Sequence, residues 1–328
     1  MSPFTGLIIV ETISPDTPIA LRLAIGMCGR VACDLGARVY RPSSECDPLT
    51  GKPGADAILA FLDRGKRLRD ADENDTATVE LAADASSFAT AAATRCLFTT
   101  FASAVDHAGE ASEFTIMAVS GLLDLVGDPG REPLRLGGHQ LSYSAGLSAF
   151  AGVAAALCRP DRTLPVTVRV NLADVAVWLN WKSAAVSALG EPAPGRPGRN
   201  SEWTVLRCAD GWIALVYQEQ DWSRLVDLVG ETKALTDARF ATGIGRRKNA
   251  AALADLLEPE FLKMNRAEIF EKARARRIPI GPVLAMDDLA VDPQYVERGV
   301  LTPSGDGDAL VPVLPLRWNG VVPVLEAA

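Results

Sequence analysis

TGLIIVETISPDTPIALRLAIGMCGRVACDLGARVYR, residues 5–41, decides the fold class. Its first seven residues form a short apolar run rich in β-branched side chains, which suits a strand. Pro15 and Pro18 then interrupt the run. LRLAIGMCGRVACDLG carries small and apolar residues at helical spacing, with Gly36 where a helix C-cap favours a residue lacking Cβ. ARVYR reads as a second strand. Strand, helix, glycine-ended turn and strand make a βαβ unit, so the segment predicts a parallel α/β sheet with a right-handed crossover.

Working outward, ADAILAFLDRGKRLRD (55–70) reads as a helix or a strand ending in a basic cluster. VELAAD (79–84), RCLFTTF (95–101) and PVTVRVNL (165–172) supply further strands. SYSAGLSAFAGVAAAL (142–157) is small, apolar and unbroken, which predicts a fully buried helix. LADVAVWLNWKSAAVSAL (172–189) reads as another long helix. The Pro- and Gly-rich GEPAPGRPGRN (190–200) has linker composition. The expected organisation is a large domain over 1–190, a linker at 191–201, a small α+β domain over 202–288 and a segment, 289–328, returning to the large domain. The small domain opens with a hairpin, WTVLRCADGWIALVY, for which Asp210-Gly211 offers turn chemistry, and continues with amphipathic helices between Gln220 and Arg277. The tail is too apolar for a disordered end.

At 328 residues, 48% hydrophobic and 23% charged, the chain can bury a sizeable core and exceeds one small domain. A net charge of -8 offers no basic face for nucleic-acid phosphates or anionic lipid, so neither partner is expected. No apolar run approaches the roughly 18–20 residues that span a bilayer, and MSPFTGLIIVE lacks a leader pattern. Six cysteines without a C-x-x-C pair read as free thiols in a reducing cytoplasm. With only His107 and His139 beside them, no metal site is expected. Neither G-x-G-x-x-G nor G-x-x-x-x-G-K-[ST] occurs to suggest another nucleotide.

Four segments in fixed order carry a family likeness: CDLGARVYRPSSECDPL (33–49), DRGKRLRD (63–70), GGHQLSYSAGLSAFAGVAAALCRPDRTLPVTVRVNLADVAVWL (137–179), and CADGWIAL (208–215) with IPIGPVLAMDDLAVDPQYVERG (278–299). Together they resemble the class III coenzyme A transferases, the group of formyl-CoA transferase, carnitine CoA-transferase and the α-methylacyl-CoA racemases. The resemblance implies a Rossmann-like large domain made of N- and C-terminal segments, a smaller α+β domain between them, and two chains interlocked like links, as a homodimer or a heterodimer with a homologous subunit. It implies an acyl-CoA thioester and a carboxylic acid as substrates, with no metal. The family is usually longer, and the region between residues 70 and 110 is shortened here.

A CoA transferase needs a carboxylate nucleophile, because attack on a thioester then gives a mixed anhydride that a thiolate can open again. Aligned on Ala145-Gly146, the family's aspartate falls at Ser142. A serine would form an ordinary ester with a poor alkoxide leaving group. Three readings follow. His139, three residues before Ser142, would complete a Ser–His dyad of thioesterase type. Alternatively, His139 is a proton-transfer base for isomerising or racemising an acyl-CoA. The third is a non-catalytic subunit that partners an active homologue. Asp16, Asp34, Asp106 and Asp174 are carboxylates that could replace the lost one.

Arg38, Arg41, Arg64, Lys66 and Arg67 sit where the resemblance places the nucleotide end of CoA; otherwise they form a solvated charged face. Gly137-Gly138 offers close backbone approach to a thioester, or an ordinary turn. Cys28 and Cys33 are expected as small hydrophobes in a buried helix.

Overall fold

The computed structural model describes residues 2–69, 76–101, 112–191, 195–230, 233–303 and 310–317. Two compact units emerge: Met1–Val126 with Pro133–Ala193 and Pro293–Ala328, and Gly127–Glu132 with Pro194–Asp292.

The first unit begins with β1 (Ile8–Thr12), α1 (Ile19–Asp34) and β2 (Arg38–Arg41), the βαβ unit read from the sequence. It continues with α2 (Ala55–Leu62), β3 (Arg67–Leu68), β4 (Val79–Ala82), β5 (Thr94–Thr99) and α3 (Glu113–Val119). The long α4 (Gln140–Leu157), β6 (Val166–Asn171), α5 (Leu172–Leu179) and α6 (Trp181–Ala188) follow. Six strands pair in the order β3-β2-β1-β4-β5-β6. Every pairing is parallel. This is the doubly wound, Rossmann-like arrangement, with the strand order reversing between β1 and β4. All four residues of β4 are buried, Glu80 among them, whereas β6 alternates between partly covered and exposed positions over Val166–Arg169.

Gly36 stops α1 in a Schellman motif. Its φ is +97°, its N–H donates to the Cys33 carbonyl at 2.9 Å, and the Ala37 N–H donates to the Ala32 carbonyl at 3.0 Å. The core joins Ile9, Leu81, Phe98 and Val170 of the sheet to Ile25 and Cys28 of α1 and to Ala145, Ala149 and Val153 of α4. Each fully buried Ile, Leu, Val or Phe among these contributes about 1.5–3 kcal/mol. Helices α1 and α4 approach closely because residue 146 is glycine: a Cβ there would lie 2.5 Å from the Ala24 carbonyl oxygen and 2.7 Å from Met27 Cβ. Cys28 and Cys33 are buried in α1, and burial pushes the Cys33 thiol up to about 11.

Three expectations need correction. Helix α4 is not buried all round: Leu141, Ala145, Ala149, Val153 and Ala156 form its covered stripe, while Leu147, Ser148, Ala151 and Ala155 are exposed. Segment 172–189 is two helices, because Asn180, at φ -99° and ψ 20°, leaves helical geometry between them. In the second unit, the hairpin's two-residue tip is Ala209-Asp210, with Gly211 already paired to Cys208.

That second unit contains β7 (Thr204–Cys208), β8 (Gly211–Leu215), α7 (Trp222–Val229), α8 (Gly243–Lys248), α9 (Ala250–Phe261), α10 (Arg266–Arg276), β9 (Ile280–Pro282) and α11 (Met286–Leu289). The antiparallel sheet β7-β8-β9 packs with the helices around Leu206, Ile213, Phe240, Leu257 and Phe261. Buried Arg246 lies 4.5 Å from the Trp222 ring and 5.8 Å from the Tyr217 ring.

The segment clustered with the first unit supplies α12 (Pro293–Arg298) and the antiparallel pair β10 (Leu301–Pro303) and β11 (Leu310–Pro312). Beyond them, Leu314 is buried with Val31 and Leu35 at the end of α1. No helix among the described residues is long and apolar enough to cross a membrane.

Candidate active site

In a doubly wound sheet the helices return antiparallel to the strands, so their N-termini gather at the carboxyl edge, where such folds take ligands. Helix α1 follows β1 directly and α4 leads into β6, so both present N-termini at that edge.

The first N–H groups of the 18-residue α4 have no partner within the helix and carry its partial positive charge. Glu113, the first residue of α3, satisfies two of them. Its Oε1 accepts from the Leu141 N–H at 2.8 Å and from the Ser142 N–H at 3.2 Å. Its Oε2 lies 3.0 Å from His139 Nδ1. Helix α3 is itself started by Ser112, whose hydroxyl accepts from the Thr115 N–H at 3.2 Å. The Glu113 side chain is only 7% exposed.

His139 caps α4 in the left-handed region, at φ 57° and ψ 38°, directly after Gly138 at φ 78°. That conformation disfavours a non-glycine residue and must be held by its surroundings. The Glu113 contact and the Tyr143 ring, 6.3 Å away, do so. The imidazole is 29% exposed, and with Nδ1 turned to the carboxylate, Nε2 is the nitrogen left for chemistry. Burial, and then the negative charge of Glu113, push the Tyr143 phenol up.

Ser142 is fully buried, and its Oγ has no hydrogen-bond partner. The expected Ser–His dyad is therefore not made: the His139 ring and the Ser142 N–H both address Glu113 instead. Of the alternative aspartates, Asp34 is paired with Arg30 at 2.9 Å, while Asp16 and Asp174 are exposed. Asp106 and His107 lie outside the described residues. Glu113 is the residue that sequence reasoning missed. It reaches across 29 positions to Ser142, and a helix-starting Ser-Glu pair announces only the start of α3. Gly137 and Gly138 lie in the exposed approach to α4.

The five basic candidates separate. Arg41, at the carboxyl end of β2, and Arg64 line a cavity of about 360 Å³ with Ser44, Leu59, Ala60, Asp47 and Asp63. Arg38 opens β2 and so lies at the opposite edge of the sheet, while Arg67 is exposed in β3, paired in register with Tyr40. Lys66 is not available to a phosphate. Its side chain is 0% exposed, with Nζ 2.6 Å from Glu11 Oε1, 3.5 Å from Asp63 Oδ1 and 2.9 Å from the Gly26 carbonyl that accepts from it. Arg22, equally buried, joins Asp47 at 2.7 Å and Asp63 at 3.0 Å. Burial, opposed by the charges of Lys66 and Arg22, raises the Glu11 carboxyl above its usual range. Among the described residues, no cluster of His, Cys, Asp or Glu could hold a metal ion.

The Glu113 carboxylate at a helix N-terminus beside His139, and a cavity carrying Arg41 and Arg64 together with Asp47 and Asp63, belong to the same Rossmann-like unit. The family model described as CoA-transferase family III matches residues 96–326, well over half of the chain and all of the α3–α4 region. The chain belongs to this family. Among its relatives, the acetyl-CoA:oxalate CoA-transferase of Acetobacter aceti is 28% identical over 213 residues, covering 62% of this chain and 54% of the relative. The succinate–glutarate CoA-transferase of Agrobacterium fabrum is 25% identical over 196 residues, covering 57% and 48%. The chain thus spans about half the length of the curated relatives it matches. Over nearly its whole length it is similar to a CAIB/BAIF family protein from Brucella suis, with a TM-score of 0.81, 25% identity, and 98% and 94% coverage. A hypothetical protein from Mycobacterium tuberculosis shares the fold, with a TM-score of 0.75 at 20% identity. As a family III member, the chain combines this fold with serine at the position where the resemblance places an aspartate.

Proposed function

We propose that the protein transfers CoA from an acyl-CoA thioester to a carboxylic acid. The acyl chemistry takes place at the N-terminus of α4, and the nucleotide end of CoA lies against Arg41 and Arg64. The observation that carries this reading is the buried Glu113 carboxylate, held at that N-terminus by two amides and His139. It supplies the group that acyl transfer needs, in a field that favours negative charge as a thioester carbonyl is attacked. Guanidinium groups on the cavity wall suit phosphate oxygens. The transferase names of the curated relatives support the same chemistry. We further propose that it acts in the cytoplasm as an interlocked pair of chains, the arrangement that the resemblance implies.

A specific observation favours a second reading. Ser142 is sealed in the interior, so a subunit that binds CoA beside an active homologue is the natural role if Glu113 does not react. His139, partly exposed and oriented by a carboxylate, keeps isomerisation of an acyl-CoA as a competing activity.

Mass spectrometry of the purified protein, incubated in deuterated water with acyl-CoA thioesters and free acids, tests the proposal. New acyl-CoA masses are the expected result. Deuterium uptake alone would replace transfer by isomerisation through His139, free CoA alone by thioester hydrolysis, and an unchanged mixture by the partner-subunit role.

A further inference from the structure

We infer that Glu113 is the nucleophile of the transfer, carrying first the acyl group and then CoA, in the role that Ser142 cannot fill; the inference rests on the transfer reading above. Ser142 is excluded on two counts. Its Oγ is fully buried with no base bonded to it, and its ester would have an alkoxide leaving group. Glu113 carries a carboxylate one hydrogen bond from the backbone of the same residue.

The two oxygens of Glu113 are held differently, and the difference suits them to different tasks. Oε1 accepts from the Leu141 and Ser142 amides, at 2.8 and 3.2 Å, whereas Oε2 lies 3.0 Å from the partly exposed His139 ring. Oε2 attacks the thioester carbonyl, the C–S bond breaks and CoA leaves as its thiolate, giving a mixed anhydride. Oε1 is then the carbonyl oxygen of the glutamyl half, and its two amide donors form the oxyanion hole for the next step. The CoA thiolate attacks Cδ, the Cδ–Oε2 bond breaks, and the donor acid departs as its carboxylate, leaving a γ-glutamyl CoA thioester. The acceptor carboxylate repeats the sequence in reverse order, ending with acceptor acyl-CoA and free Glu113. No proton or electron is gained or lost overall. His139 is a positioning residue that steadies Oε2 between turnovers.

The test is to trap the intermediate on the intact wild-type protein. With an acyl-CoA that supports transfer, hydroxylamine should leave a hydroxamate on Glu113, and none without acyl-CoA. Fragmentation separates Glu113 from Asp106, Glu110, Asp124 and Asp128, which share its tryptic peptide. Glu113→Gln should lower transfer by roughly three orders of magnitude or more while CoA binding persists. Glu113→Asp should still form the hydroxamate at position 113. A hydroxamate on another residue, transfer without any adduct at Glu113, or unreduced transfer by Glu113→Gln would overturn the assignment and leave the transfer reading standing. Absence of transfer with every acid would remove both.

Discussion

Consider Lys66→Met, which keeps the length of the side chain and removes its charge. In the wild type, Lys66 Nζ and Glu11 Oε1 are 2.6 Å apart and neither side chain meets solvent. Removing one partner of such a pair leaves the other charge uncompensated in the interior, which costs about 3–5 kcal/mol. The Glu11 carboxyl already sits above its usual range because of burial, and losing Lys66 raises it further. A raised carboxyl favours the neutral acid in the folded state, so the penalty is full well above pH 4.5 and shrinks as the pH falls towards it. Replacing both partners, Glu11→Met with Lys66→Met, should recover most of the loss, to within about 1 kcal/mol. Urea unfolding of the wild type, both single variants and the double variant at pH 7 and pH 5, with CoA affinity measured on each folded protein, gives the whole cycle. A Lys66→Met protein as stable as the wild type but weakened in CoA binding would refute the reasoning, because Lys66 would then be a ligand and not an internal counter-charge.

Other outcomes follow from the same geometry. Arg41→Ala and Arg64→Ala should each weaken CoA binding several-fold in calorimetry, about 1 kcal/mol per charged hydrogen bond in a solvent-reachable cavity, while Arg38→Ala at the other sheet edge changes nothing; equal effects from all three would remove the cavity from consideration. Gly146→Ala should destabilise the first unit by about 1–3 kcal/mol in thermal unfolding, since its Cβ meets the Ala24 carbonyl; an unchanged midpoint would mean that α1 and α4 can part freely. Burial pushes Glu80 up, but hydrogen bonds from the Thr12 and Thr90 hydroxyls and from the Ala89 and Thr90 amides outweigh it and hold the carboxyl below 4.5. A depressed carboxyl stabilises above its usual range and loses that contribution as the pH falls through its folded value, so Glu80→Gln should flatten the acid limb of the stability–pH curve; an identical limb would deny Glu80 that role.

Much of the large unit is legible in the chain because two-sided burial and helix punctuation are local signals. Strands β1, β4, β5 and β6 are rich in apolar or β-branched residues, each interrupted by a single charged one, Glu11, Glu80, Arg95 and Arg169, and Gly36 marks the end of α1. Small residues mislead: alanine and serine in α4 look buried, yet Ser148, Ala151 and Ala155 face solvent, because so small a side chain loses little there. The active site is less legible because its partners are distant. The Glu113–His139 contact spans 26 positions and the Lys66–Glu11 pair 55. A basic run such as DRGKRLR thus looks uniform although Lys66 is interior, Arg64 lines a cavity and Arg67 is exposed.

Leu314 seats against Val31 and Leu35, whose helix leaves the ribosome far earlier. At ~5–20 residues per second, that apolar seat stands uncovered for roughly tens of seconds during synthesis, while the whole second unit is made. The first unit is therefore finished last, when Leu314 reaches its seat on Val31 and Leu35.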